Sequence, residues 1–239
     1  MKRKNKAHAA HNSAYNNIVN INSHKSQRKQ VVPKNLNQKF YLQKLDSKDK
    51  HIVFAIGPAG TGKTMIAVQW AINEFRDKSC DKIVITRPAV SVDESHGFLP
   101  GDLNEKMAPW TRPIFDVFSE NFCQAEVERQ IREGVVEIAP LAYMRGRTFK
   151  NSVIIADEMQ NATPSQMKML LTRLGEGSKM IVTGDLHQAD RPSNNGLLEF
   201  LELYNNFSNH QYLDICEFSR ADVERHEAVK EILSIYGDN

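Results

Sequence analysis

The segment from Gly57 to Thr64 reads GPAGTGKT and matches the phosphate-binding pattern GxxxxGK[ST]. An apolar run precedes it and a helix-like stretch follows it, which is the context that this loop requires. Glycines allow a tight turn in which backbone N–H groups converge on phosphates, and the following helix N-terminus adds partial positive charge. We expect Lys63 to reach the β- and γ-phosphates of ATP and Thr64 to ligate Mg²⁺. The predicted nucleotide-binding residues are Gly57, Pro58, Ala59, Gly60, Thr61, Gly62, Lys63 and Thr64.

A second apolar run, Val153 to Ala156, ends in two adjacent carboxylates, Asp157 and Glu158. Many strands end in acids that are only solvated, so this pattern alone is a weak indication. It becomes strong because a complete phosphate loop precedes it in the chain. We expect Asp157 to hold Mg²⁺ through water, and Glu158 to orient and deprotonate the water that attacks the γ-phosphate.

A third apolar run, Met180 to Thr183, is followed by Gly184-Asp185-Leu186-His187-Gln188. Polar groups at the carboxyl end of a strand beside the phosphate strand lie in the crevice where α/β sheets bind ligands. Gln188 is therefore a candidate sensor of the γ-phosphate. The alternative is a simple turn, because Gly-Asp also favours turns.

These three sites need a scaffold that brings strand ends together, and the hydrophobic pattern predicts one. A short amphipathic helix is marked by Leu36, Phe40, Leu42 and Leu45. Apolar runs of strand length follow at His51 to Ile56, Lys82 to Thr86, Val135 to Ile138, Val153 to Ala156, Met180 to Thr183 and Tyr212 to Phe218. Helix-like stretches alternate with them at Lys63 to Phe75, Trp110 to Asn121, Ala125 to Glu133, Ser165 to Leu174, Leu197 to Tyr204 and Ala221 to Ile235. Strands that are apolar on both faces and separated by helices predict an α/β fold with a doubly wound, mostly parallel sheet in a single domain.

Charge is distributed unevenly along the 239 residues. Ten of the 31 basic residues precede the first acidic residue, Asp46, and from there on 21 basic residues face 29 acidic ones, a balance of −8. We expect residues 1–34 to form a disordered basic tail and residues 35–239 to form the folded ATPase domain. The tail either binds nucleic-acid phosphates or only solubilises the protein.

Composition excludes some classes of protein. No apolar run approaches the roughly 20 residues of a membrane-spanning helix, and no signal-peptide pattern is found, so we expect a cytoplasmic protein. Cys80, Cys123 and Cys216 are far apart and lack CxxC spacing, which predicts neither a disulfide framework nor a zinc site.

Taken in order, the motifs resemble the PhoH family, P-loop ATPases whose RecA-like core is similar to one motor domain of superfamily 1 helicases. The resemblance covers almost everything after Pro33. It rests on GPAGTGKT (57–64), ITRPAV (85–90), GFLPGDLNEKM (97–107), YMRGRTF (143–149), IIADEMQNATPSQMKMLLTRLG (154–175), TGDLHQAD (183–190) and DVERHEAV (222–229).

The resemblance implies roles for three further residues. Gln38 would read the adenine edge, although a solvent-facing glutamine on the helix is the alternative. Arg225, and as second choice Arg220, would touch the γ-phosphate bound by a neighbouring subunit. This arrangement implies a homo-oligomeric ring, with a hexamer as the expected size.

Nucleic acid is the partner that the family resemblance and the tail together favour. Arg87, Arg145, Arg147 and Lys150 resemble family positions that face polynucleotide or phosphate, and Trp110 and Phe98 are suited to stack on exposed bases. A buried Trp110 and solvated arginines are the alternatives. The irregular stretch from Pro88 to Pro109 is too long for a simple connection and is either functional or mobile.

The function expected from these patterns is Mg²⁺-dependent ATP hydrolysis coupled to movement on, or remodelling of, RNA or another single strand. Two rivals stay open. One is a nucleotide-dependent switch or scaffold that binds a protein partner and turns over slowly. The other is a small-molecule kinase that uses the stretch from Pro88 to Pro109 as a lid.

Overall fold

A six-stranded sheet with helices on both faces forms the body of the protein. The computed structural model describes residues 29–88, 112–190 and 192–236. The strands are β1 (Ile52–Ile56), β2 (Lys82–Thr86), β3 (Val136–Ile138), β4 (Ser152–Ala156), β5 (Lys179–Gly184) and β6 (Leu213–Glu217). The helices are α1 (Leu36–Asp46), α2 (Lys63–Arg76), α3 (112–119), α4 (Gln124–Arg132), α5 (Pro164–Leu171), α6 (Gly196–Asn205) and α7 (Glu227–Tyr236).

All strand pairs in this sheet are parallel, in the order β3-β2-β4-β5-β1-β6. Strand β5 lies between β1, which leads into the phosphate loop, and β4, which ends before Asp157. This insertion of one strand between the two functional strands is the RecA-like order. The carboxyl ends of β1, β5 and β4 consequently meet at one edge of the sheet, and the predicted fold class is confirmed.

The strands are apolar throughout because their two faces pack against different helices. Val53 and Ala55 of β1 belong to a core with α1, α2, α3 and α4, whereas Phe54 belongs to a second core with α5 and α6. Side chains alternate between faces along a strand, so a strand buried on both sides needs no polar positions. Phe54 stacks on Phe200 of α6 with ring centroids 4.7 Å apart.

Helix α1 forms where it was predicted, but only part of the predicted apolar face is buried. Leu45 is buried and Leu42 packs against the core, whereas Leu36 and Phe40 are 70% and 49% exposed. Gln38 is buried despite its polarity because its carboxamide accepts from Lys34 N–H at 2.8 Å and donates to the Thr61 carbonyl at 3.0 Å. The prediction from apolar spacing was therefore wrong about Leu36 and Phe40.

Two helix boundaries differ from the predicted ones by three residues or more, each for a local reason. Helix α5 ends at Leu171 because the backbone of Leu174 forms a parallel bridge with Phe149. Helix α7 begins at Glu227 and not at Ala221, because residues 220–222 form a 3-10 turn in which the carboxylate of Asp222 accepts from the backbone N–H of Ser219 at 2.8 Å.

The folded domain begins earlier than residue 35. The Lys29 side chain pairs with Glu120 at 2.6 Å, the Lys29 carbonyl accepts from Asn73, and Val31 packs against the core. The boundary between tail and domain at 34/35 is therefore too late, and residues 1–28 lie outside the described residues. Within the described ranges, no helix is long and apolar enough to span a membrane.

Candidate nucleotide-binding site

The phosphate loop turns between β1 and α2 through glycines whose backbone conformation disfavours other residues. Gly57 and Gly60 have φ angles of 145° and 85°. A Cβ atom at Gly57 would lie 2.3 Å from the Phe218 carbonyl oxygen, and one at Gly60 would lie 2.7 Å from Arg225 Nε. Positive φ favours glycine at both positions; at Gly57 the Phe218 backbone also leaves no room for a Cβ, whereas at Gly60 the Arg225 side chain would have to move.

Lys63 is folded onto the loop that precedes it. Its Nζ donates to the carbonyl oxygens of Gly57 at 2.6 Å and Pro58 at 2.7 Å, and to the Thr61 hydroxyl at 3.2 Å. Burial lowers the pKa of Lys63, while the carboxylates of Asp185, Glu158 and Asp157 oppose this shift. The ammonium group is therefore positioned at the N-terminus of α2, where phosphate oxygens can replace the carbonyl oxygens as its hydrogen-bond acceptors.

The hydroxyl groups of two threonines, one from α2 and one from β5, converge on Asp157. Its Oδ1 accepts from the hydroxyl of Thr64 at 2.7 Å and from that of Thr183 at 2.5 Å. Hard oxygen ligands of this kind suit Mg²⁺, which takes few protein ligands and completes its shell with water and phosphate. The residues fit the ion, with Thr64 and Asp157 as predicted and Thr183 as an addition.

Glu158 is held by a neighbour that the sequence reasoning missed, Gln160. Glu158 adopts φ 55° and ψ 40°, a left-handed conformation, and the Gln160 carboxamide donates to its Oε2. The carbonyl oxygen of the same carboxamide accepts from Asp185 N–H at 3.1 Å, and Gln160 is only 1% exposed. Through these two hydrogen bonds, Gln160 links the carboxylate of Glu158, which follows β4, to the backbone N–H of Asp185, which follows β5.

The catalytic candidates share one pocket of about 250 Å³, which Gln188 also lines. Asp185 also lines this pocket, and its side chain is held in place because its two carboxylate oxygens accept from Ala59 N–H at 3.2 Å and His187 N–H at 3.0 Å. A larger cleft of about 500 Å³ lies between α1 and β6, and none of the phosphate-loop residues line it. The pocket therefore brings together Lys63, Thr64, Asp157, Glu158 and Gln188.

The chain beyond β6 packs on the phosphate loop of its own subunit. Glu224 N–H donates to the Gly60 carbonyl at 3.0 Å, and Arg225 Nη2 lies 3.4 Å from the Ala59 carbonyl oxygen. The resemblance implied that Arg225 serves a neighbouring subunit, and this role stays a prediction. Arg220 is exposed and does not line the pocket.

Gln38 contacts the same loop from the side of α1. Its buried carboxamide bonds the Thr61 carbonyl, so the solvent-facing alternative is wrong. Each end of the carboxamide has one further hydrogen-bonding position, which leaves a donor and an acceptor for a base. Its reading of the adenine edge stays a prediction.

The predicted nucleic-acid residues lie in different environments. Arg145 and Lys150 are exposed, and Arg87 is half-buried at the end of β2. Arg147 is bonded through both terminal nitrogens to Glu137 and lies over the Phe149 ring at 4.5 Å, so its charge is already paired. The predictions for Trp110, Phe98 and the stretch from Pro88 to Pro109 fall outside the described residues, apart from Pro88 itself.

Local sequence signals existed for the missed residues. Gln160 stands two positions after Glu158 in DEMQ, and Thr183 and Asp185 flank Gly184 at the end of β5. Polar residues at the carboxyl ends of the central strands lie close to the phosphate loop, so the reasoning that predicts Gln188 applies to all three. The fold and the pocket together define a P-loop NTPase.

The chain belongs to the PhoH-like family, whose model, described as "PhoH-like protein", matches residues 30–237. It is 45% identical over 210 residues to a PhoH-like protein of Bacillus subtilis (strain 168), covering 87% of this chain and 64% of the relative. It is 42% identical over 210 residues to Protein PhoH of Escherichia coli (strain K12), covering 86% of this chain and 58% of the relative. The chain thus spans about three fifths of the length of these curated relatives.

Solved helicase structures show a weaker similarity. The UvsW helicase of bacteriophage T4 aligns with a TM-score of 0.48 and 14% identity, over 80% of this chain and 61% of that one. The Pif1 helicase of Candida albicans aligns with a TM-score of 0.42 and 13% identity, over 87% of this chain and 44% of that one. Similarity at this level says nothing about ligands.

Proposed function

We propose that the protein is a Mg²⁺-dependent ATP hydrolase. The observation that carries this proposal is the convergence of Thr64, Asp157 and Glu158 beside Lys63 in one pocket. Thr64 and Asp157 would hold Mg²⁺, which would supply positive charge to the β- and γ-phosphates. A small-molecule kinase would use a similar pocket, but it would need an acceptor site where a hydrolase places the attacking water.

Lys63, Glu158 and Gln188 have different roles in the proposed hydrolysis. Lys63 exchanges its contacts with the loop carbonyls for phosphate oxygens and stabilises the charge of the transferring group. Glu158, oriented by Gln160, accepts a proton from the attacking water. Gln188 lies on the same pocket wall and orients the γ-phosphate or that water.

Changing Glu158 to Gln tests the chemistry directly. We expect the rate of phosphate release to fall by about a hundredfold or more while ATP and Mg²⁺ binding persists, because base and orientation are lost but charge neutralisation by Lys63 is kept. Lys63→Ala should instead weaken binding. Glu202→Gln, an exposed acid on α6, is the matched control. Hydrolysis by Glu158→Gln at the wild-type rate would remove Glu158 as the base.

Coupling to RNA or another single strand is a finer part of the proposal. Its support is family membership together with the exposed basic residues near the end of β3. The test compares ATP turnover with and without single-stranded RNA, single-stranded DNA and duplex. Stimulation by a single strand favours a motor, whereas tight ATP binding with negligible turnover in every case favours a nucleotide-dependent switch.

Assembly into a homo-oligomeric ring, with a hexamer as the expected size, is a separate proposal. Its support is the open phosphate pocket together with the resemblance, which implies an arginine supplied by a neighbouring copy. Light scattering during size-exclusion chromatography, with and without ATP, measures the mass. A monomer with full ATPase activity would contradict the ring.

A further inference from the structure

An exposed tyrosine with basic neighbours lies at the carboxyl end of β3. Residues 139–151, here called the β3–β4 loop, begin with a 3-10 turn, Leu141–Met144. Leu141 and Met144 are 1% and 0% exposed, whereas Tyr143 between them is 63% exposed. The turn therefore buries its aliphatic residues and presents its aromatic ring to solvent.

The β3–β4 loop is held rigidly at several points. Ala139 N–H donates to the Ile85 carbonyl at 2.9 Å, and Phe149 N–H donates to the Arg173 carbonyl at 3.0 Å. The Arg173 guanidinium in turn donates to the Arg147 carbonyl at 3.0 Å. Because these bonds tie the loop to β2 and to the chain after α5, Tyr143 is presented with little loss of conformational entropy on binding a ligand.

Tyr143 is the most exposed of the phenylalanine, tyrosine and tryptophan residues whose side chains the structure describes, and it differs from two of the others in its surroundings. Phe207 and Tyr212, which are 61% and 54% exposed, have histidine rings as neighbours at 5.6 Å. Within the described part of the chain, Tyr143 has no ring neighbour. An aromatic ring of this exposure that lacks a partner of its own is suited to stack on a planar group from outside.

The charge around Tyr143 is positive in a domain that is negative overall. No acidic residue occurs between Glu137 and Asp157, and this interval carries Arg145, Arg147 and Lys150. Glu137 is already bonded to Lys82 and Arg147. Arg145 and Lys150 are exposed, and neither forms an ion pair with a residue that the structure describes. Arg145, two residues after Tyr143, is thus available to an anionic ligand at this edge of the sheet, whereas Lys150 lies just before the start of β4, at the opposite edge.

We propose that Tyr143 stacks on a base of single-stranded nucleic acid while Arg145 contacts a phosphate. An aromatic ring beside a cation fits a polyanion with exposed planar groups, and stacking requires no particular base. Strand β3 is separated from β4 only by β2, which places the carboxyl end of β3, which Tyr143 follows, about 10 Å from the end of β4. The strand would therefore lie at the same edge as Glu158. This inference rests on the proposed function.

The test measures binding of fluorescein-labelled 20-mers of oligo(U), oligo(dT) and abasic deoxyribose to the full chain by anisotropy. Tyr143→Ala should weaken binding of both base-containing strands by about 5- to 100-fold and leave the abasic strand unaffected. Tyr143→Phe should bind like the wild type. Tyr212→Ala, at the opposite end of the sheet, is the matched control and should change nothing.

The cationic contact is tested by the salt dependence of the same binding. Arg145→Ala should reduce the slope of log affinity against log salt by about 0.7, whereas Arg132→Ala at the end of α4 should not. Equal binding by Tyr143→Ala and wild type, or equal losses for base-containing and abasic strands, would overturn the stacking proposal. Basal phosphate release without oligonucleotide is measured for each variant. A protein that hydrolyses ATP but binds no single strand would refute the nucleic-acid contact at Tyr143 and would leave the proposed ATP hydrolysis intact.

Discussion

Gln160 offers the sharpest test of how the site is organised, because its carboxamide serves two partners. It donates to Glu158 and accepts from Asp185 N–H at 3.1 Å. Gln160→Met keeps a side chain of similar length and removes both bonds. We expect Glu158 to lose its orientation toward the attacking water while the phosphate loop, which Gln160 does not bond, still binds ATP.

The expected size of the effect follows from the two bonds. A hydrogen bond to a charged group is worth about 1.5 to 3 kcal/mol, which corresponds to a fall in kcat of about 10- to 100-fold if it acts through Glu158. Burial of the Asp185 N–H without a partner costs about 1 to 3 kcal/mol of folding free energy. The Kd for ATP should change by no more than about threefold, since neither group touches Lys63.

The assay is steady-state phosphate release combined with urea unfolding. Gln166→Met is the matched control, because Gln166 accepts from the backbone N–H of Thr163 at 2.9 Å and lies outside the pocket. It should lose stability and keep kcat. In the Glu158→Gln background, Gln160→Met should cause no further loss of kcat. An unchanged kcat in the single variant, or a full additional loss in the double variant, would refute the positioning role.

Three other predictions concern separate parts of the molecule. Arg225→Ala should slow hydrolysis by no more than about tenfold, because it loses a hydrogen bond of 3.4 Å to the Ala59 carbonyl and Arg225 does not line the pocket; a loss of about 10³-fold that mixing with Lys63→Ala rescues would show completion by a neighbouring subunit. Deleting residues 1–28 removes six basic residues and no acids, so filter binding to a single strand should show a shallower salt dependence with basal ATPase intact; an identical slope would make the tail a solubilising arm. Bonding to Arg147 lowers the pKa of Glu137 from 4.5 to about 2, so its stabilising contribution is present above pH 4.5 and is lost as the pH falls toward 2. Glu137→Gln should therefore reduce the unfolding free energy by about 1 to 2 kcal/mol at pH 7, after allowance for partial exposure, and by progressively less in acid; a deficit independent of pH would contradict this.

The deletion is placed at residue 28 because the structure moves the domain boundary. A cut after Gln30 would also remove Lys29, which pairs with Glu120 and accepts from Asn73 through its carbonyl. Loss of those contacts would mix a stability effect with the electrostatic one. The sequence pattern showed where acidic residues begin, but not where packing begins.

The sequence alone determined the fold class, the phosphate loop and the pair Asp157-Glu158. The phosphate loop and the Asp157-Glu158 pair are local features. Each directly follows a strand, and backbone geometry and charge within a few positions dictate which residues occur there. An apolar run of five residues such as Ile52–Ile56 is sufficient to predict a strand buried on both faces. The sheet then has to bring the ends of parallel strands together, which is why the site could be predicted without knowing the strand order.

Only the tertiary structure decided which distant segments complete the site. Gln38 meets Thr61 across 23 positions, and Arg225 meets Ala59 across 166. Arg147, which the sequence assigned to nucleic acid, is instead bonded to Glu137 of the neighbouring strand β3. Hydrophobic periodicity carries no information about such pairings, because a polar side chain is buried or exposed according to whether a partner from elsewhere in the chain satisfies its hydrogen bonds.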